Sequence, residues 1–281
     1  MIMSELMHPI EPKGGNMKYL VIKCGGSVFE ALPNAFYENI VKLHQSGEWN
    51  PVIVHGGGPL INSLLEKLGI KTRFVQGLRV TTNEMLDVVE MVLSGSVNKR
   101  VVRYLTQAKG KAFGMSGVDG GLIQAKQLNP DLGYVGEVTS IQKELITNVC
   151  EQGYIPVISP IAIDEEGQRY NINGDIAASA MAKALEAKLC LISDIPGIMV
   201  PKDGVKEVLR IASKKEVEQL IADEVIYGGM IPKVQAALDG LAHRVPEVAI
   251  LNGLDETSLL DFCAGKEVGT KLVLEKEANH V

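Results

Sequence analysis

The sequence predicts an α/β fold, a three-layer αβα sandwich around a mostly parallel central sheet. Three observations point there. From Met17 onward, short apolar runs alternate with stretches whose apolar residues recur at helical spacing. Glycines follow some of these runs directly, as at Gly25-Gly26 and Gly56-Gly57-Gly58, where a strand must turn sharply toward a helix. No fixed-period repeat or low-complexity linker breaks the alternation, so one continuous sheet covered on both faces accommodates it.

Residues 19–23 read as a short buried-type strand, and Phe36, Ile40 and Leu43 as the apolar stripe of a helix that Gly47 ends. A second strand covers 51–54, and a helix opens at Pro59, the favoured first helical position. Thr81-Thr82-Asn83-Glu84 carries the Ser/Thr-x-x-Glu capping pattern ahead of a long helix with Met85, Val88, Val89 and Val92. Residues 111–115 form another strand. Residues 120–141 lack helical period and are split by Gly133 and Gly136, which predicts hairpins. Strands at 154–159 and 188–193 flank a helix from Asp175 to about Ala187, and 248–251 is a further strand. Ligands of such sheets bind beyond the carboxyl ends of the strands. Residues 1–16, with Pro9, Pro12 and Gly14-Gly15, read as a disordered leader, and 17–281 as a single domain.

Composition narrows the function. A chain of 281 residues with 46% hydrophobic and 22% charged residues buries a sizeable core and is neither disordered nor fibrous. The 28 Lys and Arg against 34 Asp and Glu give a net charge of −6, which argues against nucleic acid as a partner. No stretch approaches the ~18 apolar residues of a membrane span, and the N-terminus lacks an export signal, so no membrane role is expected. The four cysteines, Cys24, Cys150, Cys190 and Cys263, are far apart with no Cys-x-x-Cys and read as reduced thiols of a cytoplasmic protein. The 29 glycines beside only 5% aromatics favour close backbone approach to a ligand over stacking.

Two glycine-rich turns follow strands. Lys23-Cys24-Gly25-Gly26-Ser27 reads either as a phosphate cradle with a cation attached or as a tight turn with a snorkelling lysine. His55-Gly56-Gly57-Gly58-Pro59 has more glycines than a turn requires, which favours an anion site at a helix N-terminus, with His55 as a structural hydrogen-bonder. Neither G-x-x-x-x-G-K-[ST] nor G-x-G-x-x-G occurs, so a P-loop or a standard dinucleotide fold has no support.

With Gly77-Leu78-Arg79-Val80-Thr81, Asn171-Ile172-Asn173-Gly174-Asp175 and Gly228-Gly229-Met230-Ile231-Pro232-Lys233 following in order, the chain from Met17 to about Leu274 resembles the acetylglutamate branch of the amino acid kinase family. The resemblance implies transfer of the ATP γ-phosphoryl group to the γ-carboxylate of N-acetyl-L-glutamate, with Mg²⁺ carried by ATP and no protein-held metal. It implies that Lys23 and Lys233 contact the transferring group, that Gly25 and Gly26 donate N–H groups to it, and that Asp175 orients the two lysines. Gly57, Gly58, Arg79 and Asn171 would hold the acyl-amino acid. The loop with Asp194, Gly197, Ile198 and Met199, and the segment ending at Tyr227, match the surroundings of adenine and ribose. The family pattern also implies a lobe to about residue 170 for the acyl-amino acid and dimerisation, and one from 171 for ATP. Gly174 and Tyr227 depart from the alanine and threonine common in relatives. The short, proline-broken leader differs from the N-terminal helix of arginine-inhibited hexameric members, so an arginine-insensitive homodimer is expected. A kinase for a longer acyl-amino acid, of aminoadipate type, and a non-catalytic amino-acid sensor are the rival expectations.

Overall fold

The computed structural model describes residues 18–275 apart from Ser27, Gln76 and Asp203; the leader falls outside that range. The chain runs β1 (Lys18–Cys24), α1 (Asn34–Ser46), β2 (Trp49–His55), α2 (Gly58–Lys67), β3 (Phe74–Val75), β4 (Leu78–Arg79), α3 (Asn83–Glu90), a π-helical segment (Met91–Val97) and α4 (Asn98–Gln107). Then come β5 (Ala112–Ser116), β6 (Ile123–Gln127), β7 (Gly136–Ile141), α5 (Lys143–Glu151), β8 (Ile155–Ser159), β9 (Ile161–Ile163) and β10 (Arg169–Asn171). The second half holds α6 (Gly174–Leu185), β11 (Lys188–Ser193), β12 (Met199–Lys202), β13 (Val205–Val208), β14 (Ile211–Ser213), α7 (Lys214–Ala222), α8 (Met230–Ala242), β15 (Val248–Asn252), α9 (Ser258–Cys263) and β16 (Thr270–Val273).

An eight-stranded sheet in the order β14-β16-β15-β11-β1-β2-β8-β5 forms the middle layer. From β15 to β5 every neighbouring pair is parallel, and the turn to antiparallel comes only at β15–β16. The strand order reverses at β1: β2 lies on one side and β11 on the other, which opens a crevice beyond the carboxyl end of β1. Side-chain alternation explains both cores. Leu20, Ile22 and Cys24 enter one apolar cluster with α1 and α9, whereas Val21 enters the other with α6 and α8. Lys23 has the parity of Val21, so its side chain leaves the strand on the α6 and α8 face.

Local expectations mostly land within a residue or two. Gly47 takes the left-handed conformation (φ 74°) that ends α1, and the 120–141 region forms the β6–β7 hairpin. Two details differ. The cap of α3 is Thr82, whose hydroxyl accepts from the Met85 N–H at 3.3 Å, so the box pattern places it one residue early. The helix that follows is also not uniform: residues 91–97 widen into π turns before α4 resumes. That segment presses Leu93 and Val97 onto Gly57, where a Cβ would lie 2.8 Å from Leu93 Cδ2.

Candidate active site

The end of β1 delivers Lys23, the first turn of α6 delivers Asp175, and the first turn of α8 delivers Lys233. Lys23 Nζ donates to Asp175 Oδ2 at 2.9 Å and Lys233 Nζ donates to Oδ1 at 3.2 Å. All three residues are buried, at 7%, 6% and 8% exposure. Burial opposes ionisation of Asp175, but the two lysine charges and their hydrogen bonds outweigh it and hold the carboxyl below its ordinary value. Lys233 is pushed down to about 8 by burial and by the charge of Lys23, against the pull of Asp175. Two cations on one carboxylate leave a net positive charge in a water-poor site, a setting that attracts an anion.

Helix capping frees Asp175 for this role. The N-cap of α6 is Asn173, whose Oδ1 accepts from the Asp175 and Ile176 N–H groups at 2.8 and 3.3 Å. Asp175 is therefore not the cap. Gly174 keeps the path of Lys23 open: a Cβ there would stand 3.3 Å from Lys23 Cε.

The two glycine turns are in direct contact. A Cβ on Gly26 would lie 2.7 Å from the Gly58 nitrogen and 2.9 Å from the Gly57 nitrogen, and the Gly56 N–H donates to the Cys24 carbonyl at 3.0 Å. The two turns thus face each other across backbone contacts. Gly58 has open space where its Cβ would be. Behind the cradle His55 is fully buried and pushed down to about 4 by burial, against the Gly56 carbonyl, so it is neutral. Its Nδ1–H donates to that carbonyl at 3.2 Å, and its Nε2 accepts from Asn98 Nδ2 at 3.2 Å. The histidine is a structural hydrogen-bonder, as its position beside a turn suggests.

A cavity of about 200 Å³ runs from Lys23, Gly26, Gly56, Gly57, Gly58 and Asp175 to Phe74, Leu78, Arg79 and Asn171. The N-termini of α2 and α6 open onto it, adding positive partial charge. Arg79 is buried, stacks over the Phe74 ring at 4.7 Å, and among the described residues has no hydrogen-bond partner at Nη1. Such a guanidinium lacks an acceptor that a carboxylate supplies. Sequence reasoning missed Phe74 and Thr81. The only signal for either was position: Thr81 stands in the same motif as Arg79.

Lys233 reaches Asp175 without lining the cavity; Gly25 does not line it either, and a Cβ there would lie 3.9 Å from Lys23 Nζ. The remaining expected residues stand apart from the cavity. Asp194 follows β11 and is exposed, and Tyr227 is 74% exposed ahead of α8. Gly197 adopts φ 150° where a Cβ would meet Thr270 Oγ1 at 2.5 Å, and the Ile198 N–H donates to that same oxygen at 2.7 Å. Both pin the loop to β16, while Met199 is half-buried at the start of β12.

A profile described as the amino acid kinase family matches residues 18–252, which takes in the whole triad. The chain belongs to the amino acid kinase family. This amino acid kinase is 48% identical over 266 residues to the acetylglutamate kinase of Oceanobacillus iheyensis, covering 94% of this chain and 100% of that one. It is 46% identical over 263 residues to the acetylglutamate kinase of Bacillus subtilis, with 93% and 98% covered. Among solved structures it is similar to smu.665 from Streptococcus mutans UA159, at a TM-score of 0.79 and 32% identity, covering 92% of this chain and 99% of that one.

Proposed function

We infer that the chain is an ATP-dependent acetylglutamate kinase, moving the γ-phosphoryl of ATP onto the γ-carboxylate of N-acetyl-L-glutamate to give N-acetyl-L-glutamyl 5-phosphate in arginine biosynthesis. The observation that carries the reading is a pair of ammonium groups on the two oxygens of one buried carboxylate, beside a cavity lined by Arg79, whose Nη1 has no hydrogen-bond partner among the described residues.

The chemistry suits that arrangement. A carboxylate with a pKa of ~4.3 is already ionised at neutral pH and requires no general base. The barrier lies in bringing one anion against a polyanion, so catalysis consists of charge neutralisation and alignment. In this reading Arg79 forks onto the α-carboxylate, Asn171, Gly57 and Gly58 complete the grip, and the γ-carboxylate points at Lys23. Lys23 and Lys233 neutralise the moving phosphoryl group together with the N–H groups of Gly25 and Gly26. Asp175 fixes the spacing of the two lysines and keeps Lys233 charged.

ATP occupies the half of the chain from about 171, with Asp194, Gly197, Ile198, Met199 and Tyr227 around the nucleoside, and the acyl-amino acid occupies the half up to about 170. The exposure of Asp194 and Tyr227, away from the cavity, supports that side for the nucleotide. In this reading Mg²⁺ arrives with the nucleotide substrate, and both oxygens of Asp175 are engaged by the two lysines. No step is assigned to a protein-held ion. The proposal extends to a homodimer in the cytoplasm. Half-exposed Phe113 on edge strand β5, beside Tyr154, and unpaired, mostly buried thiols support it.

The test is ATP-dependent acyl-hydroxamate formation from N-acetyl-L-glutamate and from its one-carbon-longer homologue. Product from the first, favoured by about tenfold or more, is expected. Absence of product from both overturns the kinase reading, and preference for the homologue moves the substrate to the longer acid.

A further inference from the structure

We propose that Thr81 is a positioning residue: it fixes the Asn171 amide with its oxygen free, so that the site selects a ligand whose nitrogen donates an N–H. The inference rests on the acyl-amino-acid reading and names the feature of the substrate that Asn171 recognises.

Hydrogen-bond direction decides the matter. Thr81 is fully buried, and its hydroxyl lies 2.9 Å from the Arg79 carbonyl and 3.1 Å from Asn171 Nδ2. A carbonyl only accepts, so the single hydroxyl hydrogen goes to Arg79. The Thr81 oxygen is then left as an acceptor toward Asn171, and only the NH₂ end of that amide satisfies it. Oδ1 is thereby turned away. No group among the described residues donates to it, and Asn171 lines the same cavity as Arg79.

The main chain holds Thr81 in place. Its N–H donates to the Leu132 carbonyl at 3.0 Å, its carbonyl accepts from the Tyr134 N–H at 2.8 Å, and a Cβ on Gly133 would come 2.3 Å from that carbonyl oxygen. Because Thr82 caps α3, the Thr81 hydroxyl is left for this relay. Among the described residues Arg79 Nη1 has no acceptor and Asn171 Oδ1 has no donor, and both residues line the cavity. A carboxylate and an adjacent amide N–H fill both. A reversed amide would set donor against donor and leave both unsatisfied.

The experiment compares N-acetyl-L-glutamate with its ester isostere, 2-acetoxyglutarate, in which oxygen replaces the N–H, using the full chain and ATP. The wild type should prefer the amide by about 10- to 100-fold in kcat/KM. Thr81→Val, which keeps the shape and removes the hydroxyl, should shrink that preference to about threefold or less, through KM for the amide and not KM for ATP. Thr81→Ser should restore it. A Thr81→Val enzyme with the wild-type preference overturns the proposal, as does a wild type that accepts both ligands equally. If Thr81→Val does not fold, Thr81→Ser still decides, since loss of the preference there contradicts the relay. A wild type that phosphorylates neither compound removes the kinase reading itself, an outcome distinct from the others.

Discussion

Replacing Asp175 by asparagine separates an organiser of charge from a general base. Asp175 bonds two ammonium groups at 2.9 and 3.2 Å, each worth about 5 kcal/mol of Coulomb attraction at an effective dielectric of about 20. Desolvation offsets much of that, and loss of one partner from a buried pair typically destabilises by about 3–5 kcal/mol. The thermal midpoint of Asp175→Asn should therefore fall by about 5–10 °C. Lys233 already sits near 8 because of burial and Lys23, with Asp175 pulling the other way. Removing that pull lowers it by a further ~2–3 pH units, the amide oxygen keeping one hydrogen bond. Lys233 is then mostly neutral at pH 7, and kcat/KM for ATP drops by about 100- to 1,000-fold. The sign is specific: lowering the pH from about 7 to 6 re-protonates Lys233 and recovers activity in the variant, whereas the wild type, charged below 8, gains nothing. The assay is kcat/KM for ATP between about pH 5.5 and 9, with a thermal melt alongside. A loss that is constant across this range, or a midpoint within about 2 °C of wild type, refutes the reasoning.

Lys23→Met and Lys233→Met should each lower kcat by about 100-fold or more, because each removes a charge aimed at the phosphoryl group; single-turnover rates near wild type for both would place phosphoryl transfer elsewhere. Gly26→Ala puts a Cβ 2.7 Å from the Gly58 backbone nitrogen, so melting temperature and activity should fall together, whereas Gly58→Ala meets open space and should raise KM for the acyl-amino acid while the melting temperature holds. Neutral His55 carries a folded-state value of about 4 against an ordinary 6.5. The unfolded chain binds its proton first, so roughly 3 kcal/mol of stability present above pH 6.5 is lost as pH falls toward 4. Urea midpoints across that window should flatten in His55→Gln, and an unchanged slope in the variant would assign the loss to other groups.

Strand and helix positions were legible because they are local. Lys188–Ser193 matches its expected bounds, and Gly47 ends α1 through a left-handed conformation that glycine adopts without penalty. Where two local solutions compete, the sequence does not choose. Thr81 and Thr82 both fit a cap, and Asn173 and Asp175 both fit the start of α6; packing against Asn171 and against the two lysines decided each case. The π turns of residues 91–97 were invisible for the same reason, since their register follows from contact of Leu93 and Val97 with Gly57.

By itself, the sequence determined the alternating α/β architecture, the glycine turns at strand ends and the residue types able to handle an anion. Period and turn chemistry are properties of neighbours along the chain. The tertiary structure decided which of those residues meet. Lys23 lies 152 residues from Asp175, and Asp175 lies 58 from Lys233, and only the reversal of strand order at β1 brings them to one crevice. It also packed the two glycine turns against each other and set the direction of the Thr81 relay, because backbone approach and hydrogen-bond polarity depend on distances that no spacing in the sequence encodes.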